Sequence, residues 1–236
     1  MVKSKYDLDI TCYFTSGSNT AGSSLKELFE AVKEALSGEY LVEVKNSAIK
    51  IYSQNENGYL HVDVVPGRFV DGKEGDVFLH VEKWDETRLK TNLQTHISHV
   101  RTSGFLDEIK LMKIWNTRNG GPFKTFILEL LTIKVLQDNS RKGMALDENI
   151  EFLFTELAEK IETITVEDPA NPAGNDLSLH FDSTMRMNAK MRLEETARLL
   201  ETHDWEGIFV PLEKASPASI KTQAVNSQMN LHYDGE

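Results

Sequence analysis

Polar and apolar residues alternate along YDLDITCYF (6–14): Leu8, Ile10 and Cys12 fall on one side, Asp7, Asp9 and Thr11 on the other. A period of two is that of a β-strand with two unlike faces. It predicts that Leu8, Ile10 and Cys12 anchor the strand in a core. The small and polar run TSGSNTAGSS (15–24) then reads as a loop. From Leu25 the period changes. Leu25, Leu28, Phe29, Val32 and Leu36 recur at helical spacing, Ser24 and Glu27 stand three apart as a capping box, and Gly38 follows the end. YLVEVK (40–45) and AIKIYS (48–53) are short and rich in β-branched and aromatic residues, so both are expected as strands. Asn55, Asn57 and Gly58 supply a turn, and YLHVDVV (59–65) is a further strand that Pro66-Gly67 should stop.

The second half carries the helical period. Candidate helices span about 86–101, 104–117, 123–138, 146–162 and 183–202, each with apolar residues three and four apart. VEDPANPAGND (166–176) is a proline-punctuated loop, and the stretch from about Pro211 is polar and weakly periodic. No internal repeat is visible. The expected architecture is α+β: an N-terminal mixed sheet with a flanking helix, then a helical lobe. The expected divisions are 1–85, 86–210 and a C-terminal tail, 211–236.

Composition narrows the function. Acidic residues outnumber basic ones 37 to 26, a formal charge of −11. Both nucleic acid and anionic membrane attract Lys and Arg, so neither is expected as a general partner. A single cysteine, Cys12, excludes an internal disulfide framework. MVKSKYDLDI has no apolar signal-peptide core, and FILELLTIKVL is interrupted by Glu129 and Lys134, so a cytoplasmic protein without a membrane span is expected.

The acids on the first strand are the first candidates for chemistry. Asp7 and Asp9, one residue apart, share a face, and hard cations such as Mg²⁺ take one or two carboxylates together with substrate phosphates. By itself the pair says little, because 14 aspartates give about one Asp-x-Asp by chance; solvated edge-strand acids are the plain alternative. A third acid, Asp63, sits in the middle of HVDVV, where a carboxylate is costly unless paired or metal-bound. In the helical half, EIKLMKIWN (108–116) sets Lys110 and Lys113 three apart on one side. They read either as a phosphate clamp or as a solvated charged face. PFKTFILELL (122–131) starts a helix for which Pro122 suits the entry. Thr125 and the backbone of its first turn can meet phosphate oxygens, and Phe126 can stack on a base or pack in the core. His96 and His99 are spaced for one helix face but have no Cys or His cluster behind them, so they read as helix-surface histidines and no zinc site is expected.

Taken together, DLDI, HVDVVPGR, KLMKIWN, FKTFILELL and VEDPANPAGND, in this order from about residue 6 to about 205, resemble the template-independent nucleotidyltransferases related to oligoadenylate synthase and cyclic GMP-AMP synthase. The bacterial branch of that family makes cyclic oligonucleotide signals in anti-phage defence. DPANPAGN is the most specific local match. The resemblance implies a polymerase-beta-like catalytic sheet in which Asp7, Asp9 and Asp63 bind two Mg²⁺ (or Mn²⁺) ions, with Asp63 also helping to activate the attacking hydroxyl. It implies that Lys113 contacts the triphosphate, that Lys110 holds a position often basic in the synthases, that Thr125 lies near the phosphates and that Phe126 can stack on a base. The substrates implied are ATP and other nucleoside triphosphates, joined with release of pyrophosphate. A defence-operon protein is an implied partner, and without a long basic run no nucleic-acid activator is expected.

The pattern departs from the family at one place. Family members carry a Gly-Ser pair on a short helix about ten residues before the first aspartate, where it cradles the triphosphate. Only six residues precede Asp7 here, and Gly17-Ser18 follows the strand. The expectation is a chain that enters the family pattern midway and lacks that phosphate cradle. The alternative function is a catalytically impaired nucleotide-binding protein that acts through a partner.

Overall fold

The computed structural model describes residues 6–52, 60–73, 75–81, 88–173 and 175–209, and of Tyr6, Asp7 and Leu60 the backbone alone. The turn expected at Asn55–Gly58, the start of the helix expected from 86 and the tail from 211 lie outside the described residues. The chain forms two compact units, Met1–Ser98 with Asp168–Asn175, and His99–Glu167 with Asp176–Glu236. The fold is α+β, a mixed sheet with a flanking helix followed by helices.

The first unit is built on β4 (Leu60–Phe69). β3 (Ile49–Tyr52) pairs antiparallel with residues 61–64 of β4, and β5 (Val77–His80) with 67–69. β2 (Leu41–Val44) lies beyond β3, and β6 (Arg88–Thr91) beyond β5. β1 (Tyr6–Phe14) runs parallel to β4 from Tyr6↔Leu60 to Phe14↔Arg68. That span overlaps the partners of both β3 and β5, so β1 takes β4's other edge.

Local chemistry explains α1 (Leu25–Ser37). Ser24 Oγ accepts from Glu27 N–H, and Glu27 Oε2 accepts from the N–H groups of Ser23 and Ser24, closing the expected capping box. The Ser23 hydroxyl, which also donates to Oε2, and these N–H groups hold the Glu27 carboxyl below its ordinary pKa. Gly22 enters this turn at φ +101°, and a Cβ there would stand 2.4 Å from Glu27 Cβ, so the position requires glycine. Arg68 ties the loop to β4 by donating to the carbonyls of Gly22 and Ser23. At the other end Gly38 has φ −66°, so the left-handed freedom of glycine is not used there. α1 packs against β4, β5 and β2, and buries Leu28 and Phe29.

Three sequence expectations are corrected, and one strand is added. Pro66-Gly67 does not stop the strand: β4 continues to Phe69. Pro66 falls between the last β3 partner, Val64, and the first β5 partner, Gly67, so that edge asks no donor of it. Gly67 belongs there because a Cβ would lie 2.6 Å from Val77 Cγ1. The helix expected over 86–101 begins as strand β6, with α2 only from Leu93 to Thr102, and β5 was not expected at all. Finally, Leu8 and Ile10 are not core anchors. They are 51% and 46% exposed, because among the described residues β1 pairs only with β4 and α1 packs mainly on other strands.

The second unit contains α3 (Leu106–Arg118), α4 (Thr125–Asp138), α5 (Leu146–Lys160), α6 (Ser183–Leu200) and the short α7 (Trp205–Ile208). Its core gathers Trp115, Phe123, Leu131, Leu153, Phe154 and Leu193. Trp115 Nε1 donates to Thr196 Oγ1 at 2.9 Å, which satisfies the one polar atom the buried indole carries. Helix α4 starts three residues after Pro122, so the proline precedes the helix rather than occupying its first turn. Among the described residues no helix is long and apolar enough to cross a membrane.

Candidate functional site

In-register strands put paired residues on one face of a sheet, about 5 Å apart. One such row crosses the first unit: Glu43↔Lys50, Lys50↔Asp63 and Asp63↔Asp9. The apolar partners Val42, Ile51, Val62 and Leu8 alternate with this row and take the other face. Asp9 is exposed, whereas the Asp63 side chain is 16% exposed. Asp7 lies two residues before Asp9 on the same strand, opposite His61, so its backbone position is on this face. Its side chain lies outside the described residues.

The surroundings of Asp63 are charged. Lys45 Nζ donates to Asp63 Oδ2 as an ion pair, while Asp63 Oδ1 is buried with no hydrogen-bond partner. Lys50 pairs with Asp63 in register, but its ammonium lies 5.5 Å from the centroid of the Tyr52 ring. Tyr52 donates its phenol proton to Glu43 Oε2. That bond, with burial and the charges of Glu43 and Asp63, pushes the Tyr52 pKa up to about 12. Neither Lys45 nor Lys50 was singled out in the sequence. The signal was present: Glu43 and Lys50 occupy polar positions of two short strands whose alternate apolar positions face away, and Lys45 follows Glu43 at the same spacing in the turn.

This donor set suits a hard divalent cation. Two carboxylates from neighbouring strands stand side by side, and one of them keeps a buried oxygen that the protein leaves unbonded. Among the described residues no three His, Cys, Asp or Glu side chains converge as a metal site.

The proline loop has its own organising charge. Asp168 is 2% exposed. Its Oδ1 accepts from Ala170 N–H at 2.8 Å and lies 2.6 Å from His96 Nε2, and its Oδ2 accepts from Asn175 Nδ2 at 2.8 Å. Burial raises the Asp168 pKa, but these donors outweigh it and hold the carboxyl below its ordinary value. Asp168 N–H donates to Asn175 C=O, and Asn171 N–H to Asp168 C=O. The Asp168-Pro-Ala-Asn171 stretch is thus part of a loop wound around a buried carboxylate. His96 is not an ordinary surface histidine, because its ring is 18% exposed and paired with that carboxylate.

The remaining candidates belong to the helical unit. Lys113 on α3 is ion-paired with Glu129 on α4. Lys110 pairs with Asp107 at 2.8 Å, both side chains about two-thirds exposed. Thr125 is exposed at the first residue of α4. Phe126 is half-buried and packs against the helical core. The structure therefore sets Asp9 and Asp63 side by side, while Lys110 and Lys113 each have an acidic partner within their own unit.

No protein-family model and no curated protein matches the chain. Solved structures do. CdnC of E. coli MS115-1, with ATP, matches at a TM-score of 0.64 and 18% identity, over 87% of this chain and 77% of that one. The Vibrio cholerae DncV cyclic AMP-GMP synthase, in complex with the linear intermediate pppA(3′,5′)pG, matches at 0.63 and 18%, over 85% and 57%. Escherichia coli DncV in its 3′-deoxy GTP bound form matches at 0.65 and 17%, over 87% and 63%. The chain thus spans about three-quarters of CdnC and about three-fifths of the DncV chains. At these identities the likeness carries the fold alone: the chain has the fold of CdnC and of the DncV chains.

Proposed function

We propose that this chain carries the catalytic body of a metal-dependent nucleotidyltransferase that joins nucleoside triphosphates into linear or cyclic oligonucleotides and releases pyrophosphate. The observation that carries the reading is the in-register pair Asp9 and Asp63 on one sheet face, in a fold shared with synthases solved with nucleotides bound. Asp7, Asp9 and Asp63 would hold Mg²⁺ or Mn²⁺, which when bound stabilises charge on the attacking and leaving oxygens. Asp63, mostly withdrawn from water with one oxygen unbonded, is the acid suited to orient the attacking hydroxyl and accept its proton. Lys113 would serve the triphosphate by exchanging Glu129 for phosphate oxygens. Thr125 and the first N–H groups of α4 would contribute neutral donors, and Lys110 long-range positive charge. Signalling in anti-phage defence alongside an operon partner follows from the same resemblance.

One observation favours a second reading, nucleotide binding without turnover: Lys45 and Lys113 already satisfy acidic partners within the chain. A single experiment separates the two. The protein is incubated with ATP, GTP and Mg²⁺ or Mn²⁺, products are resolved by chromatography, and nucleotide binding is followed by calorimetry. Turnover that is lost in Asp9→Asn and Asp63→Asn supports the transferase. Binding without product in the wild-type chain supports the second reading, and the absence of both refutes the proposal.

A further inference from the structure

The acid face holds a cation of its own. Asp63 is mostly withdrawn from water and stands beside the like-charged Asp9, an arrangement that costs free energy unless a positive charge is near. Lys50 pairs with Asp63 in register, but its ammonium sits over the Tyr52 ring. The cation that meets Asp63 comes instead from the hairpin between β2 and β3. Lys45 is the first residue of that turn, where its N–H donates to Ala48 C=O at 2.8 Å. It follows Glu43 at strand spacing on the side of β2 that carries the charged row, so its side chain reaches across β3 to Asp63 Oδ2. The turn hydrogen bond fixes the backbone from which the ammonium reaches, and the side chain stays 38% exposed.

We infer that Lys45 is a resident counter-cation of the acid face, which a divalent cation must displace from Asp63 in order to load. The inference rests on the metal-site reading of Asp9 and Asp63 proposed above. The unbonded Oδ1 and the Oδ2 that Lys45 holds belong to one carboxylate, so a divalent cation on either oxygen would stand within a few ångströms of the ammonium, and like charges that close repel strongly in a partly desolvated site. Loading is therefore an exchange. Before it, Lys45 neutralises the buried acid and keeps the sheet face stable. After it, the Lys45 ammonium is released to solvent. The exchange lowers the intrinsic cation affinity of the site, so that loading is favoured when a triphosphate brings its own share of metal ligands.

The test uses Mn²⁺ alone, without nucleotide, followed by electron paramagnetic resonance. Lys45→Met keeps the stem and removes the charge. It should bind Mn²⁺ roughly tenfold more tightly than wild type, about 1.4 kcal/mol. It should also melt lower in chelator and gain more from Mn²⁺. Lys45→Arg should resemble wild type. On the wild-type chain, which avoids any folding defect of a variant, acetylation of Lys45 read by mass spectrometry should quicken severalfold when Mn²⁺ is added. Equal Mn²⁺ affinity in wild type and Lys45→Met, or unchanged Lys45 reactivity, overturns the role of Lys45 while Mn²⁺ binding that Asp63→Asn abolishes leaves the metal site standing. No Mn²⁺ binding by any of these proteins overturns both.

Discussion

Removing the carboxylate of Asp168 should open the proline loop without unfolding the rest of the chain. In Asp168→Ala three close partners lose their acceptor: His96 Nε2 at 2.6 Å, Ala170 N–H at 2.8 Å and Asn175 Nδ2 at 2.8 Å. Hydrogen bonds to a charged group contribute about 1.5–3 kcal/mol each, but the three share one acceptor and the opened loop regains water, so they do not add in full. A local loss of about 3 kcal/mol is the working figure, which corresponds to roughly a hundredfold at 1.36 kcal/mol per decade. Because the chain has two units, one global unfolding free energy is a poor measure, and hydrogen exchange read by peptide is the better assay. The reporters are the amides of Asp168, Asn171 and Asn175, which donate within the loop. Their protection should fall about a hundredfold, while that of α4 holds. Asp168→Asn, which keeps one acceptor oxygen, should fall between. The same loop should respond to acid. The folded pKa of Asp168 lies below its unfolded value, so its contribution is complete above about pH 4 and is lost as pH falls through the folded pKa. A change under threefold in the loop amides of Asp168→Ala, or an equal loss in α4, would refute the idea of a loop wound on its carboxylate.

Two further outcomes follow from the sheet. Ile49 is fully buried and Ile10 is 46% exposed, so Ile49→Ala should cost about 2–5 kcal/mol and Ile10→Ala under about 1 kcal/mol in the hydrogen-exchange protection of the sheet amides; similar costs would show that β1 is covered in solution. In an alkaline absorbance titration one tyrosine should ionise near 12, and Glu43→Gln should bring it down toward 10. Because the folded form holds that proton more tightly, the contribution is complete below about pH 10 and is lost as pH rises through the folded pKa.

Much of the chain's local structure was legible before any contact was known. The capping box of Ser24 and Glu27 and the apolar period that follows are interactions within one or two turns, so they are written in consecutive residues. The alternation that sets Asp7 and Asp9 apart from Leu8 and Ile10 is equally local, and so are four of the five helices expected in the second half. β5 and β6 escaped because VFLH and RLKT are four residues each and carry no clean alternation; pairing with β4 and with each other makes them strands. Burial escaped too, since a strand's apolar face is interior only if another element covers it, and α1 covers β4 rather than β1. The charge partners lay furthest from view. Lys45 reaches Asp63 across 18 positions, His96 reaches Asp168 across 72, and Asp9 meets Asp63 only through the parallel register of β1 and β4. Residue identity and short-range spacing chose the acids and the strand faces. Which acid faces which, and which cation each one holds, was decided by chain pairing at long range, because a carboxylate's partner is whatever the fold brings within a few ångströms of it.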